Sequence, residues 1–345
     1  MKHDGSFFKY VRGFLTVFLP KNKCYSKNTI KAYRDTINLF RKFLLEEKTI
    51  SFTNISFDMI NHDIIYEFLA WLQNTRGCEA ATKNQRLAVL KSFLQYCATE
   101  DPALMAIYMD IQKVRLQRVV RSRVEYMSET ALKMLLEQPD PNTQCGLRNR
   151  FFMILLYDTA ARIQEILDLR LKDIHLNDQT PSIYLTGKGN KTRAVPLMDK
   201  TIAHLYEYMK TFHPDGDLKN DQYLFYTLIK GLKGKMSDDN VSCFLKRYAG
   251  SAHQACSEVP LRMHAHLFRH TRAMHLYQAG IPLSYIKDFL GHASVNTTDI
   301  YASTDTSMMR AALEKINKGG DEQTSKAVPV WQGDEEMILK LCGLK

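Results

Sequence analysis

The stretch "LTGKGNKTRAVPL", residues 185–197, decides the fold, because its two glycines around Lys188 can be read in two ways. A nucleotide-binding loop would carry GxxxxGK[ST] between a strand and a helix and would head an α/β domain. GKGNKTR lacks that spacing, and both of its flanks alternate: Ile183 and Leu185 against Tyr184 and Thr186 before it, "RAVPL" after it. Period-two alternation on either side of Gly189-Asn190 predicts a β-hairpin over 182–197 with Lys188 at or near its turn. A turn lysine is ordinarily a solvated cation, so any role for Lys188 has to be argued from the rest of the chain.

Outward from the hairpin, helices dominate. Downstream come "TIAHLYEYMK", "SDDNVSCFLKRYAG", "HAHLFRHTRAMHLYQAG" and "PLSYIKDFLGH"; upstream, "SETALKMLLEQ" reads as a capped helix and "LRNRFFMILLYDTAARIQEILDL" as one or two buried ones. Further upstream, Ile30, Tyr33, Ile37, Phe40, Phe43 and Leu44 fall at helical spacing behind Ser26 as cap. "DIIYEFLAWLQNTRG" predicts a second helix ended by Gly77, and Leu87, Leu90, Phe93 and Leu94 form the stripe of a third. Residues 1 to about 105 are therefore expected to be a small all-helical bundle. The fold class is mainly α with a small β-hairpin or sheet, the second domain being α+β.

Between the two domains, "DIQKVRLQRVVRSRVEYMS" crowds Lys113, Arg115, Arg118, Arg121 and Arg123 into a stretch with no helical stripe. It is either a solvated linker or a strap that tracks a polyanion. After Asn317 comes a polar spacer, "KGGDEQTSKAVPVWQGD", with apolar Val328, Val330 and Trp331, and then "EEMILKLCGL", too short to be a stable helix alone.

The whole-chain balance fits such a strap. The 345 residues suffice for two domains, the 45% hydrophobic share supports folded cores, and the net charge of +10 favours a polyanionic partner. No run approaches the roughly 18 apolar residues of a membrane span, and "FFKYVRGFLTVFLP" is interrupted by Lys9 and Arg12, so it reads as an amphipathic helix and not a signal peptide. Seven scattered cysteines without a CxxC pair point to reduced thiols and a cytoplasmic location.

Several side chains could do chemistry. Arg162 follows the apolar run "FFMILLYDTAA", with Glu165 as an available partner; His266 and Arg269 share one helical face. His266 and His270, four apart, could hold zinc, but neither a third ligand nor an HExxH glutamate accompanies them. Gly291 ends a helix, His292 lies in the bend, and Tyr301 falls on a short helix beyond. Tyr277 and Tyr285 sit on apolar helical stripes and are expected to be packing residues. Taken singly, each candidate has a structural explanation.

Their order, Arg, Lys, His-x-x-Arg, Gly-His, Tyr, together with the "SKNTIKAYRDTINLF" opening, resembles the tyrosine recombinases, the phage-integrase family, over nearly the whole chain. The resemblance implies that Arg162, Lys188, His266, Arg269 and His292 surround a DNA phosphate and that Tyr301 is the nucleophile. It implies a helical core-DNA-binding domain (1–107), a basic linker (108–127) with Lys113, Arg115, Arg118, Arg121 and Arg123 on DNA, a catalytic domain (128–317) and a tail (318–345) exchanged between protomers. Double-stranded DNA is the implied partner, held in a C-shaped clamp by a homo-tetramer on two sites, with accessory DNA-bending factors, no membrane, no cofactor and no metal. Ala160, Gln164 and Phe268 depart from common family residues, which touches packing and not the catalytic set.

The chemistry accounts for the residue types. Attack on a phosphodiester crowds charge onto two non-bridging oxygens, which guanidiniums can bind with paired hydrogen bonds. A lysine can protonate the leaving 5′-oxygen, and a tyrosyl ester conserves the bond energy for rejoining. Integration and excision of a mobile element is the expected role. The alternatives are a type IB topoisomerase with the same chemistry, a catalytically silent DNA-binding regulator, and, least of all, a zinc hydrolase.

Overall fold

The computed structural model describes residues 6–119, 124–176, 179–187, 189–291, 301 and 336. The chain divides into two compact units, residues 1–121 and 122–345. The first contains α1 (Ser6–Gly13), a wider-turned continuation around Pro20 (Phe14–Asn22), α2 (Lys27–Lys48), α3 (His62–Asn74), α4 (Ala80–Glu100) and α5 (Met105–Gln112). The Ser26 hydroxyl caps α2 by accepting from the Thr29 amide at 3.2 Å. Ile37, Phe40, Phe43 and Leu44 then face inward onto Leu87, Leu90, Phe93 and Leu94 of α4, as their spacing predicts.

The first unit reaches further along the chain than its composition suggests. α5 covers residues 105–112, and Ile111 and Val114 are fully buried in the first core, so the helical unit runs to Gln112 and past the expected boundary at 107/108. The chain that follows is tied to α4. Asn84 gives to the Gln117 carbonyl and accepts from its amide, both at 2.8 Å, and the Lys91 ammonium donates to the Val114 carbonyl at 2.7 Å.

In the second unit, α6 (Glu129–Leu136) is capped by Ser128, and the long apolar run becomes two helices, α7 (Gln144–Thr159) and α8 (Ile163–Asp168). The run 151–157 of α7 is apolar on every side and correspondingly central: Phe151, Phe152, Met153, Leu155 and Leu156 are all buried. The break falls at Ala160, in the left-handed conformation with φ 47°. Strands β1 (Ile174–His175), β2 (Ser182–Thr186) and β3 (Thr192–Pro196) form an antiparallel sheet, with Leu185 opposite Arg193 and Thr186 opposite Thr192. The 182–197 hairpin is thus present, with Gly189 and Asn190 at positive φ in its connection.

After α9 (Asp199–Phe212) comes a second hairpin that the sequence reading missed, β4 (Tyr226–Ile229) and β5 (Leu232–Lys235). Its Lys230-Gly231 turn has φ of 51° and 80°, the two positive values of a I′ turn. Helices α10 (Asp238–Ala255), α11 (Ala265–Gln278) and α12 (Leu283–Leu290) follow. A small separate cluster of Ala160, Ala273, Met274, Ile286 and Leu290 encloses Tyr301.

Candidate active site

The site begins where α7 breaks. Ala160 turns the chain, Arg162 becomes the residue before α8, and Glu165 folds back to accept from the Arg162 backbone amide at 3.0 Å and from its guanidinium at 2.8 Å. A second guanidinium, Arg193 of β3, gives to the other oxygen of Glu165 at 2.8 Å and to the Phe289 carbonyl at 3.1 Å. Burial alone would raise the Glu165 carboxyl, but the bonds from Arg193 and Arg162 outweigh it and hold it at about 2. One buried carboxylate thus orients two arginines, of which Arg162 keeps 37% of its side chain exposed.

Two glycines let the chain approach this cluster. A Cβ on Gly187 would stand 2.9 Å from a Glu165 oxygen and 3.6 Å from the Arg162 guanidinium. At Gly291, with φ of 64°, it would stand 3.2 to 3.5 Å from the Arg193 side chain. Gly187 immediately precedes Lys188 and Gly291 immediately precedes His292.

Arg269 lies beside them, almost wholly buried, donating to the Ala160 carbonyl at 2.7 Å and the Leu290 carbonyl at 2.6 Å. Arg162 reaches the next carbonyl, Gly291, at 3.5 Å. Burial, with Arg162 and Arg193 close by, brings the Arg269 guanidinium down to about 10, which leaves it charged at neutral pH. On the same helix, desolvation and then the charges of Arg269, His264 and Arg162 lower His266. The rings of His266 and His270 meet edge to face, 4.8 Å apart.

Tyr301 is 1% exposed, and its hydroxyl is 3.0 Å from Nδ1 of His270. Burial pushes the phenol up to about 12 against the pull of Arg269; burial, then His266, His264 and Arg269, pushes His270 down to about 4. The contact joins a neutral imidazole to a protonated phenol, and the imidazole tautomer sets which of the two donates.

Two guanidiniums held on the consecutive carbonyls of Leu290 and Gly291, with a tyrosine in the same cluster, suit an oxyanion such as a phosphodiester. A model of the phage integrase family matches residues 125–308, and a model of the phage integrase N-terminal SAM-like domain matches residues 14–101. This chain is a member of the tyrosine recombinase family. It is 30% identical to tyrosine recombinase XerD of Staphylococcus epidermidis over 294 residues, 85% of this chain and 93% of that one. It is 29% identical to the putative integrase/recombinase y4rC of Sinorhizobium fredii over 318 residues, 92% and 93% of the two chains. Among solved structures, the XerH recombinase bound to difH DNA matches with TM-score 0.63 at 24% identity, over 83% of this chain and 79% of that one. The Tn1549 transposon integrase on transposon-end DNA matches with TM-score 0.67 at 15% identity, over 89% and 98%. These likenesses bear on the fold.

Of the six catalytic residues expected from the sequence of this recombinase, Arg162, His266, Arg269 and Tyr301 are brought together, while Lys188 and His292 lie outside the described residues. Among the linker cations, Lys113 is paired with Asp110 at 2.9 Å, Arg115 and Arg118 are exposed, and Arg121 and Arg123 lie outside the described residues. Tyr285 corrects an expectation: it is not packed but 70% exposed, because it projects from the outer side of α12 while Ile286 and Leu290 face inward. Arg193 is not singled out by the sequence reading; its signal is the alternation of its strand, since Leu185 opposite it points inward. The sequence offers His270 only as a possible zinc partner of His266, one turn away, and in the fold it meets the Tyr301 hydroxyl instead. Among the described residues, no helix is long and apolar enough to cross a membrane.

Proposed function

We propose that this chain is a cytoplasmic site-specific recombinase that cuts and rejoins duplex DNA through a 3′-phosphotyrosyl bond at Tyr301, for integration and excision of a mobile element. The observation that carries this reading is the juxtaposition of Arg162 and Arg269 on neighbouring carbonyls beside Tyr301. The two guanidiniums bind the non-bridging oxygens of the scissile phosphate, and most strongly when attack loads them with charge. The Tyr301 oxygen attacks phosphorus, its proton passing to an imidazole of the site, with His270 its partner before it moves. The phosphorus–5′-oxygen bond breaks as Lys188 delivers a proton, and a DNA 5′-hydroxyl later reverses the step. The arginines of the linker hold phosphates on either side. The tail, residues 318–345, docks on a neighbouring protomer, which joins four subunits on two sites.

The general-acid role has a sharp test. Lys188→Ala is expected to slow cleavage of an ordinary phosphate by about 100-fold or more, within the range of general acid catalysis, and to slow a substrate with sulfur at the bridging 5′ position far less, since a thiolate departs unprotonated. Equal slowing on both substrates overturns the role. The nucleophile is read by trapping on a nicked substrate and mapping the attached peptide, with Tyr277 and Tyr285 as the competing sites.

A further inference from the structure

The β4–β5 hairpin is a feature the catalytic reading does not use. Residues 222–237, "QYLFYTLIKGLKGKMS", hold three lysines and no acidic residue. The base of the hairpin is fixed: the Tyr226 hydroxyl donates to the Phe212 carbonyl at 2.8 Å, and Lys235 pairs with Asp168. The tip is bare. Leu228 and Leu232 are 67% and 75% exposed, next to Lys230 and Lys233, and the Lys233 ammonium lies 4.5 Å above the Tyr226 ring on the face that Leu228 shares. Natural chains rarely leave leucines on both sides of a ribbon tip in water unless something covers them.

Position and charge identify the cover. Asp168 is the last residue of α8, Arg162 directly precedes the first, and Gln164 between them donates to Asp168 at 2.8 Å. Six helical residues span ~9 Å, so a phosphate held at Arg162 brings the duplex backbone within about one major-groove width, ~12 Å, of the hairpin base. The strands themselves are ~13 Å long, and a two-stranded ribbon is of a size that the major groove admits. A second copy of the chain is the poorer occupant, because its net charge of +10 repels a cationic finger.

We propose that the β4–β5 hairpin is an additional DNA-contacting finger, with Lys230 and Lys233 meeting phosphates and Leu228 and Leu232 packing on sugars or base edges in the groove beside the scissile phosphate. The placement rests on Arg162 holding that phosphate. Replacing Lys230 and Lys233 together by alanine is expected to weaken binding about tenfold at physiological salt and to flatten the plot of log K against log salt by roughly 1 to 2, with the thermal midpoint unchanged and cleavage at saturating protein within about twofold. A photo-crosslinking residue in place of Leu232 is expected to attach to DNA within about one groove of the cleavage site. An unchanged salt slope, or crosslinking only to another protomer, overturns the proposal. Arg162→Ala separates the two readings: if it abolishes cleavage while the lysine variant binds as the parent does, the finger fails and the active site stands. If Arg162→Ala cleaves normally, the placement of the DNA fails with it.

Discussion

Tyr301→Phe is expected to remove every trace of covalent protein–DNA adduct while leaving affinity for a single site within about threefold of the parent. The substitution deletes one oxygen, the one proposed to form the phosphoester that later rejoining needs. Affinity is held elsewhere, by the guanidiniums and by cations along the chain, so it has no reason to fall. The phenylalanine ring keeps the seat among Ala273, Met274, Ile286 and Leu290. Its loss of the hydroxyl leaves Nδ1 of His270 without this partner, at a cost of about 1 to 3 kcal/mol, which is a modest fall in thermal midpoint and not unfolding. The measurement is gel separation of adduct on a nicked substrate beside a binding titration on the intact one. Adduct formation by the variant would move the nucleophile to another residue, and the 70% exposure of Tyr285 makes that the first place to look.

In the mechanism proposed above, the burial of Tyr301 in the free chain adds a step. A phenol at 1% exposure does not reach a phosphate, and with its proton held up to about 12 it is a weak nucleophile where it sits. Attack therefore requires Tyr301 to leave its seat, and DNA supplies the driving force if the phosphate replaces the carbonyls of Ala160 and Leu290 as acceptor for Arg269. Ala160 and Leu290, whose carbonyls hold Arg269, are both members of the cluster around Tyr301.

What could be read in the sequence was what local periodicity and residue chemistry determine. The 182–197 hairpin showed in its alternation, α2 and α4 in their stripes, and Arg162 with Glu165 in the oddity of a charge pair at the end of an apolar run. What could not be read depended on tertiary partners. The β4–β5 hairpin has exposed leucines near its tip, so its strands show no alternation of buried and exposed positions. α5, "MAIYMDIQ", has no polar face to mark it as a surface helix, and its end was taken for linker. Tyr285 and Ile286 are neighbours on α12, and only the packing of α11 against it says which one turns inward. His266 and His270 are equivalent by spacing; the fold alone gives Tyr301 to the second.

Glu165→Gln is expected to lower stability and rate together. The carboxylate is 3% exposed and accepts from Arg162 and Arg193 at once; an amide offers one acceptor and turns an N–H toward a guanidinium. Its pKa is lowered in the fold to about 2 from an ordinary 4.5, so the stabilisation is fully present above the unfolded value and is lost as pH falls toward the folded one. At ~1.4 kcal/mol per unit this is about 3 kcal/mol at neutral pH, of which roughly two are gone by about pH 3. Urea unfolding of parent and variant should therefore differ by about 3 kcal/mol at neutral pH and by only about 1 at pH 3, every other carboxylate cancelling in the comparison. A gap that does not narrow in acid would assign Glu165 a packing role without charge. The rate effect follows from the same contacts: without Glu165, Arg162 loses its fixed direction and Arg193 no longer ties β3 to the start of α8. Cleavage should fall about 100-fold, the scale of losing one preorganised donor to the transition state, while binding to an unreactive site stays within a few-fold. A variant as unstable as expected but cleaving at the parent's rate would separate the buried ion pair from the chemistry and return the orientation of Arg162 to the DNA itself.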